Sequence, residues 1–262
     1  MAMSESVEII SQIQDHSFIE SWYDLTDASH FWFNWRMVAA VRQLNDLGVP
    51  LKSELRALEV GCGTGVLREQ FEAASNWIVD ATDLDHAALS KARPSRGRTM
   101  YYDIFEEVEE LKEAYDVLIL FDVLEHIQNT KPFIQSLLKH LKPGGLLLIN
   151  VPAMQPLYSD YDKVAGHMKR YSKRSLREEF IDFNLKIEEM RYWGFTMLPI
   201  LFVRKLLLMI LKNQSTDQII QRGFRPPNAF TNSAFTRIMR AETAILPKPL
   251  VGSSLLMVGR KL

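Results

Sequence analysis

The chain is short of cysteine and of net charge, and each shortage removes a class of explanation. Its single cysteine, Cys62, excludes an internal disulfide and a cysteine-based metal site. That fits a reducing compartment, so the cytoplasm is the expected location. Lys and Arg total 31 against 32 Asp and Glu, for a formal charge of −1. No basic excess marks a nucleic-acid surface, and no nucleic-acid partner is expected. The polar, acidic start of the chain lacks the apolar core of a secretory signal. The most apolar run, 195–211, holds Arg204 and Lys205 and has Pro199 near its start. It is too short and too charged to span a bilayer comfortably. Repeats and low-complexity tracts are absent. His16, His86 and His140 show no metal-ligand spacing, and no metal is expected.

What the chain does have is a long alternation of apolar segments. With 262 residues, 47% of them hydrophobic, one large domain with a substantial core is within reach. Residues 7–47 read as helical, because apolar side chains recur every three or four positions from Phe31 to Leu44. Gly48-Val49-Pro50 stops that helix. Seven strands are expected, at 56–60, 77–82, 99–102, 115–121, 146–151, 186–192 and 254–260. Helices fall between them at 66–71 and 86–92. A further helical face comprises Phe133, Ile134, Leu137, Leu138 and Leu141, closed by Pro143-Gly144-Gly145. Ser175-Leu176-Arg177-Glu178 reads as a capping box opening a helix to Phe183. Strand and helix in turn argue for an α/β fold, a parallel sheet with helices on both faces. The connection 152–174 has little periodicity, and such long connections are functional or disordered. A mostly helical insertion (195–245, with a break at 213–228) precedes the last strand.

The most informative stretch is Leu58-Glu59-Val60-Gly61-Cys62-Gly63-Thr64-Gly65. An apolar strand runs into three glycines at alternate positions, and a helix follows. Glycine lets backbone N–H groups approach a ligand closely and tolerates positive φ. Asp83 ends the next strand about 20 residues on, the distance at which a carboxylate accepts hydrogen bonds from a ribose diol. The spacing is Gly-x-Gly-x-Gly, not the Gly-x-Gly-x-x-Gly that seats a pyrophosphate on a helix N-terminus. Glu59 beside the turn would repel a phosphate dianion but suits a ligand carrying an ammonium. Cys62 reads as a small filler under the loop.

This motif resembles that of the class I S-adenosylmethionine (SAM) methyltransferases. Asp103-Ile104 resembles the family's third motif, and Leu141-Lys142-Pro143-Gly144-Gly145 a later one. Phe121-Asp122-Val123-Leu124-Glu125-His126-Ile127 resembles a segment shared with the ubiquinone-biosynthesis O-methyltransferases. The resemblance implies a Rossmann-like seven-stranded sheet whose last strand alone is antiparallel, inserted beside the fifth. It implies SAM as cofactor, with Gly61, Gly63 and Gly65 near the methionine and Glu59 facing the ammonium. Asp83 would take the ribose, Asp103 and Ile104 the adenine, and Phe121 and Asp122 the sulfonium end. Asp85 serves either as a helix cap or as a further cofactor contact.

Residues 160–171, with Gly166-His167-Met168-Lys169-Arg170-Tyr171, resemble a bacterial small-molecule branch of the family. So do His30-Phe31-Trp32-Phe33 and Arg36, on an N-terminal helix (within 1–50) that tends to close over the cofactor. The remaining chain, 51–262, would form the SAM-binding domain. Trp32 and Arg36 are candidate lid contacts, or core. His167 and His126 are the candidate bases, since histidine titrates near neutral pH. Arg170 either meets an acidic substrate group or pairs with Asp160 or Asp162. Tyr158 and Tyr171 are candidate pocket walls. The run 195–212 suits a membrane surface, the sheet, a homodimer partner or the wall of an apolar acceptor site. The expected activity is methyl transfer to a hydroxyl, or an amine, of a small molecule. RNA or protein methylation, and a non-catalytic SAM-binding scaffold, are the alternatives.

Overall fold

The computed structural model describes residues 7–13, 30–210 and 228–262, together with residue 219. Strand β1 (Glu8–Ile9) is followed by helix α1 (Phe31–Asp46), β2 (Arg56–Val60) and α2 (Val66–Ala74). Next come β3 (Ile78–Asp83), α3 (His86–Ser90), β4 (Thr99–Tyr101) and β5 (Tyr115–Phe121). Helix α4 (Thr130–Lys139), β6 (Leu141–Pro152), α5 (Asp160–Val164) and α6 (Lys173–Glu179) continue the chain. It ends with β7 (Leu185–Trp193), α7 (Leu198–Ile210), α8 (Ala229–Ile245) and β8 (Ser254–Lys261).

The strands form one sheet in the order β1-β4-β3-β2-β5-β6-β8-β7. Strand β8 runs antiparallel to both its neighbours, and the other pairings are parallel. The centre is β5, whose Val117-Leu118-Ile119-Leu120 run is fully buried, as a strand covered on both faces requires. On one face Phe133, Ile134, Leu137 and Leu138 of α4 pack against it. On the other, Trp35 and Leu44 of α1 and Leu67 and Phe71 of α2 do so. Helices thus cover both faces, as the alternation predicts.

Four expectations need correction. The sheet has eight strands, because Glu8–Ile9 adds to the edge beside β4 where a helix was expected. Arg98 clamps this edge strand through the Glu8 carboxylate. The helical run begins at Phe31, with residues 14–29 outside the described set. Helix α4 ends at the His140 cap, and Pro143-Gly144-Gly145 forms an irregularity where β6 slips register against β5. Finally, α6 is capped by Ser172, with Ser175 its reciprocal partner at the third position, so the helix starts three residues early. Of the insertion, α7 and α8 are described; residues 211–218 and 220–227, which hold the end of the apolar run and most of the expected break, lie outside the described residues.

Helix α8 lies against α1. The Phe31 amide donates to Asn232 at 2.9 Å, and Phe31 stacks on Phe235. Buried Glu242 of α8 accepts the amides of Gly194, Phe195 and Thr196, and so caps the turn after β7. Helix α7 contributes no buried residue, so packing on the sheet is not its role. No helix among the described residues is long and apolar enough to cross a membrane.

Candidate active site

A cavity of about 630 Å³ opens at the carboxyl ends of β2, β3 and β5. That is where open α/β sheets bind ligands. Glu59, Gly61, Gly63, Asp83, Asp103, Ile104, Phe121, Asp122, Trp32 and Arg36 all line it, and so do His126, His167 and Arg170.

The turn after β2 is built for close approach. Gly61 sits at φ 75°, and a Cβ there would fall 2.5 Å from Val123 Cγ2. Only glycine fits this position. The Gly63 amide donates to Asp83 at 2.7 Å and the Asp85 amide at 2.9 Å, one to each carboxylate oxygen. Spare lone pairs remain on both oxygens for a diol. Asp85 itself caps α3 through the Ala88 amide. Gly65 is a correction: it lies outside the cavity wall, caps α2 at φ 75°, and abuts Arg68. Cys62 is buried, and burial pushes its thiol well up, which fits a filler.

Glu59 is 3% exposed, and its Oε2 has no hydrogen-bond partner. Burial raises its pKa to about 8 against the pull of Arg36 and Arg68. An orphaned buried carboxyl beside a glycine cradle fits a ligand that brings its own positive charge. Across the cavity, Asp122 adopts φ 58°, a strained conformation for a non-glycine residue. Three bonds hold it there. Its amide donates to Asn150 O, Asn150 Nδ2 donates to its Oδ1 at 2.6 Å, and Arg36 meets its Oδ2 at 2.5 Å. Asn150 in turn accepts from Trp193 Nε1. Arg36 is therefore a buried partner of Asp122 as well as a wall of the cavity. Trp32 packs tilted on Trp193 at 4.7 Å.

The facing wall comes from the 152–171 connection. Its hub is Asp162, fully buried at the side chain. Asp162 accepts the Ser159 amide, Arg170 Nε at 2.8 Å and His167 Nδ1 at 3.1 Å. Burial pushes the Asp162 carboxyl up, but the His167 hydrogen bond and the Arg170 guanidinium outweigh it and hold the pKa at about 2. An ionised carboxylate only accepts, so His167 Nδ1 carries a proton, and in the neutral ring Nε2 then keeps its lone pair. Arg170 thus takes the Asp162 pairing, not Asp160, while remaining on the cavity wall.

His167 Nε2 stands 3.9 Å from Glu125 Oε1. Glu125 is 1% exposed, and neither carboxyl oxygen has a partner. Burial, with Asp122 nearby, raises its pKa well above the carboxylate range. His126 stacks edge-on to His167 and bonds Gly166 O at 3.2 Å. Burial and the neighbouring His167 lower its pKa to about 4. Donor atoms of Glu125, His126 and His167 lie within 4.8 Å of one another, a candidate cation-ligand set that chain spacing did not reveal.

Two candidate pocket walls are corrected. Tyr171 is fully buried in the core, with its hydroxyl on Leu124 O. Tyr158 lies off the cavity, and its hydroxyl donates to His167 O. Glu125 and Tyr161 have no role in the sequence reading, and Arg204 enters it only as a charge interrupting the apolar run 195–211; all three line the cavity. The signal for Glu125 was its place beside His126 in the quoted motif. Tyr161 and Arg204 carried no local signal.

Fold and cavity together define the class: a class I SAM-dependent methyltransferase. A family model described as a methyltransferase domain matches residues 32–190, more than half of the chain. The chain belongs to that family, and SAM is its cofactor. Among curated relatives, it is 35% identical over 103 residues to a ubiquinone biosynthesis O-methyltransferase from Rickettsia canadensis, covering 37% of this chain and 43% of that protein. It is 30% identical over 143 residues to a malonyl-[acyl-carrier protein] O-methyltransferase from Bacillus anthracis, covering 50% of this chain and 51% of the other. The chain thus spans about half or less of the length of these relatives. An S-adenosylmethionine dependent methyltransferase from Mesorhizobium loti superposes with a TM-score of 0.53 at 15% identity, over 85% of this chain and 97% of that one.

Proposed function

We propose that this protein transfers a methyl group from SAM to a hydroxyl of a small-molecule acceptor. The pairing of Asp162 with His167 at the cavity wall carries this reading. Bound SAM supplies an already activated methyl group. The chain has three tasks: to hold the cofactor, to align the acceptor and to take its proton. Gly61, Gly63 and Glu59 receive the methionine end, Asp83 the ribose, and Asp103 with Ile104 the adenine. Helix α1, with Trp32 and Arg36, closes over them as a lid. Asp162 fixes the His167 ring and its tautomer, leaving Nε2 as the base toward the acceptor hydroxyl. His126, held neutral, shapes the same corner. Two partly matching relatives are named as O-methyltransferases, which favours oxygen over nitrogen.

The Glu125, His126 and His167 cluster favours a second reading of the deprotonation step. A divalent cation held by these three would lower the pKa of an acceptor hydroxyl bound to it. One experiment separates the two. The purified protein is offered SAM with pooled phenols, sugars and amines, and the demethylated cofactor is measured with and without chelator. Turnover of a hydroxyl acceptor that survives chelation supports His167 as base. Turnover restored only by added Mg²⁺ or Mn²⁺ supports the metal. SAM binding without turnover of any acceptor overturns both and favours a scaffold.

A further inference from the structure

Three arginines line the cavity, and two of them are matched by carboxylates. Arg36 faces Asp122 and Arg170 faces Asp162. The third, Arg204 of α7, has no carboxylate within salt-bridge distance among the described residues, and its buried Nε has no hydrogen-bond partner. Its guanidinium lies over the Tyr161 ring, 4.0 Å from the centroid. Tyr161 immediately precedes Asp162, so Arg204 stands on the acceptor wall, away from the glycine turn. Lys205 Nζ, bonded to Pro156 O, ties this part of α7 to the same connection. Asp162 carries one negative charge between two guanidiniums, which leaves this wall with an uncompensated positive charge. Burial without a counter-ion disfavours that charge, in line with the lowered pKa of Arg204.

We propose that Arg204 is an anion subsite, and that the acceptor carries a carboxylate or phosphate in addition to the hydroxyl that is methylated. A guanidinium presents paired N–H donors that match such a group. The Tyr161 face fixes the guanidinium plane before the ligand arrives. Orientation follows: an acceptor anchored at Arg204 turns its remaining functional group toward His167 and the strand ends. Neutral analogues of the same shape lose the anchor and leave a half-buried cation unmatched, so the subsite selects by charge. This rests on the reading of the cavity as an acceptor site, and its test needs no turnover.

Full-length protein loaded with S-adenosylhomocysteine is titrated calorimetrically with benzoate, phenyl phosphate and benzyl alcohol as probes. At least one anion is expected to bind tenfold or more tightly than the neutral alcohol. Whichever anion binds better tells carboxylate from phosphate. Arg204→Gln should erase the preference, and Arg204→Lys should keep part of it. SAM titrated into the same variants should bind within twofold of wild type. Equal binding of the alcohol, absence of binding by either anion, or an unchanged preference in Arg204→Gln would overturn the proposal. A fall in SAM affinity would overturn it too, by assigning Arg204 to the cofactor carboxylate. Turnover by wild-type protein, measured separately, reports on the methyl-transfer reading whatever the probes do.

Discussion

The two walls of the cavity are made by different means. The wall at β2, β3 and β5 is largely backbone: a glycine turn, strand ends, and a carboxylate held by the Gly63 and Asp85 amides. The facing wall is side chain. Asp162 gathers Arg170, His167 and Ser159, while Arg170 reaches back to Ala153 O and His126 to Gly166 O. Strand ends are positioned by the whole sheet and tolerate little movement. A wall gathered on one buried carboxylate depends on that carboxylate being charged. The strand-end wall should therefore keep its shape when one of its side chains is replaced, and the facing wall should lose its shape on single substitutions and in acid.

His167→Ala tests the division most severely. Loss of a positioned base typically costs 10²–10⁴ in rate, so turnover should fall by about that factor. SAM affinity, measured by calorimetry, should stay within twofold. Parallel losses in both would mean that the walls are not independent. Asp162→Ala comes next. It leaves the Arg170 cation buried without its partner, and breaking such a pair costs about 3–5 kcal/mol. Chemical denaturation should show that loss. The sign with pH follows from the depressed pKa. The stabilisation is present above the unfolded value near 4 and is lost as pH falls through about 2, amounting to about 2 kcal/mol. A stability profile from pH 5 to pH 2 should flatten in the variant. Asp83→Ala addresses the other wall. It should weaken SAM binding about 100-fold, equivalent to about 2.7 kcal/mol, while far-UV circular dichroism stays unchanged. Unchanged affinity would remove Asp83 from the ribose site.

The same contrast explains what could be read from the chain. Gly61, Gly63 and Asp83 belong to a local pattern with fixed spacing, and β5 announces itself as an unbroken apolar run. The acceptor wall has no such pattern. Asp162, on the short helix α5, and Arg170, in the loop beyond it, are eight residues apart with no shared periodicity, and Arg204 reaches Tyr161 from 43 positions away. Their meeting depends on where α7 docks, which no local periodicity encodes. The errors have the same origin. Glu8–Ile9 becomes a strand because β4 offers an open edge, a tertiary fact. Tyr171 looks like a loop aromatic but pairs by an isolated bridge with Ala153, and that bridge draws it into the core. Gly65 shares the spacing of Gly61 and Gly63, yet the turn spends it on capping α2.

Glu59 gives the finest test, because it is the one backbone-wall residue whose charge state should respond to the cofactor. Its folded pKa of about 8 lies above the unfolded value near 4.3. Its contribution to stability is therefore full below pH 4 and is lost as pH rises through about 8. Glu59→Gln should flatten that decline in the free protein. Placing the ammonium of SAM beside Glu59 favours the carboxylate, so binding at pH 7 should release a proton, up to about one per site. Calorimetry in phosphate and in Tris reads this directly, since the apparent enthalpy changes with the buffer's own ionisation heat. Glu59→Gln should lose the release and about tenfold in affinity, because it keeps the shape of the side chain without its charge. An equal proton count in both proteins would place the ammonium elsewhere, and the orphaned Oε2 would then need a different partner.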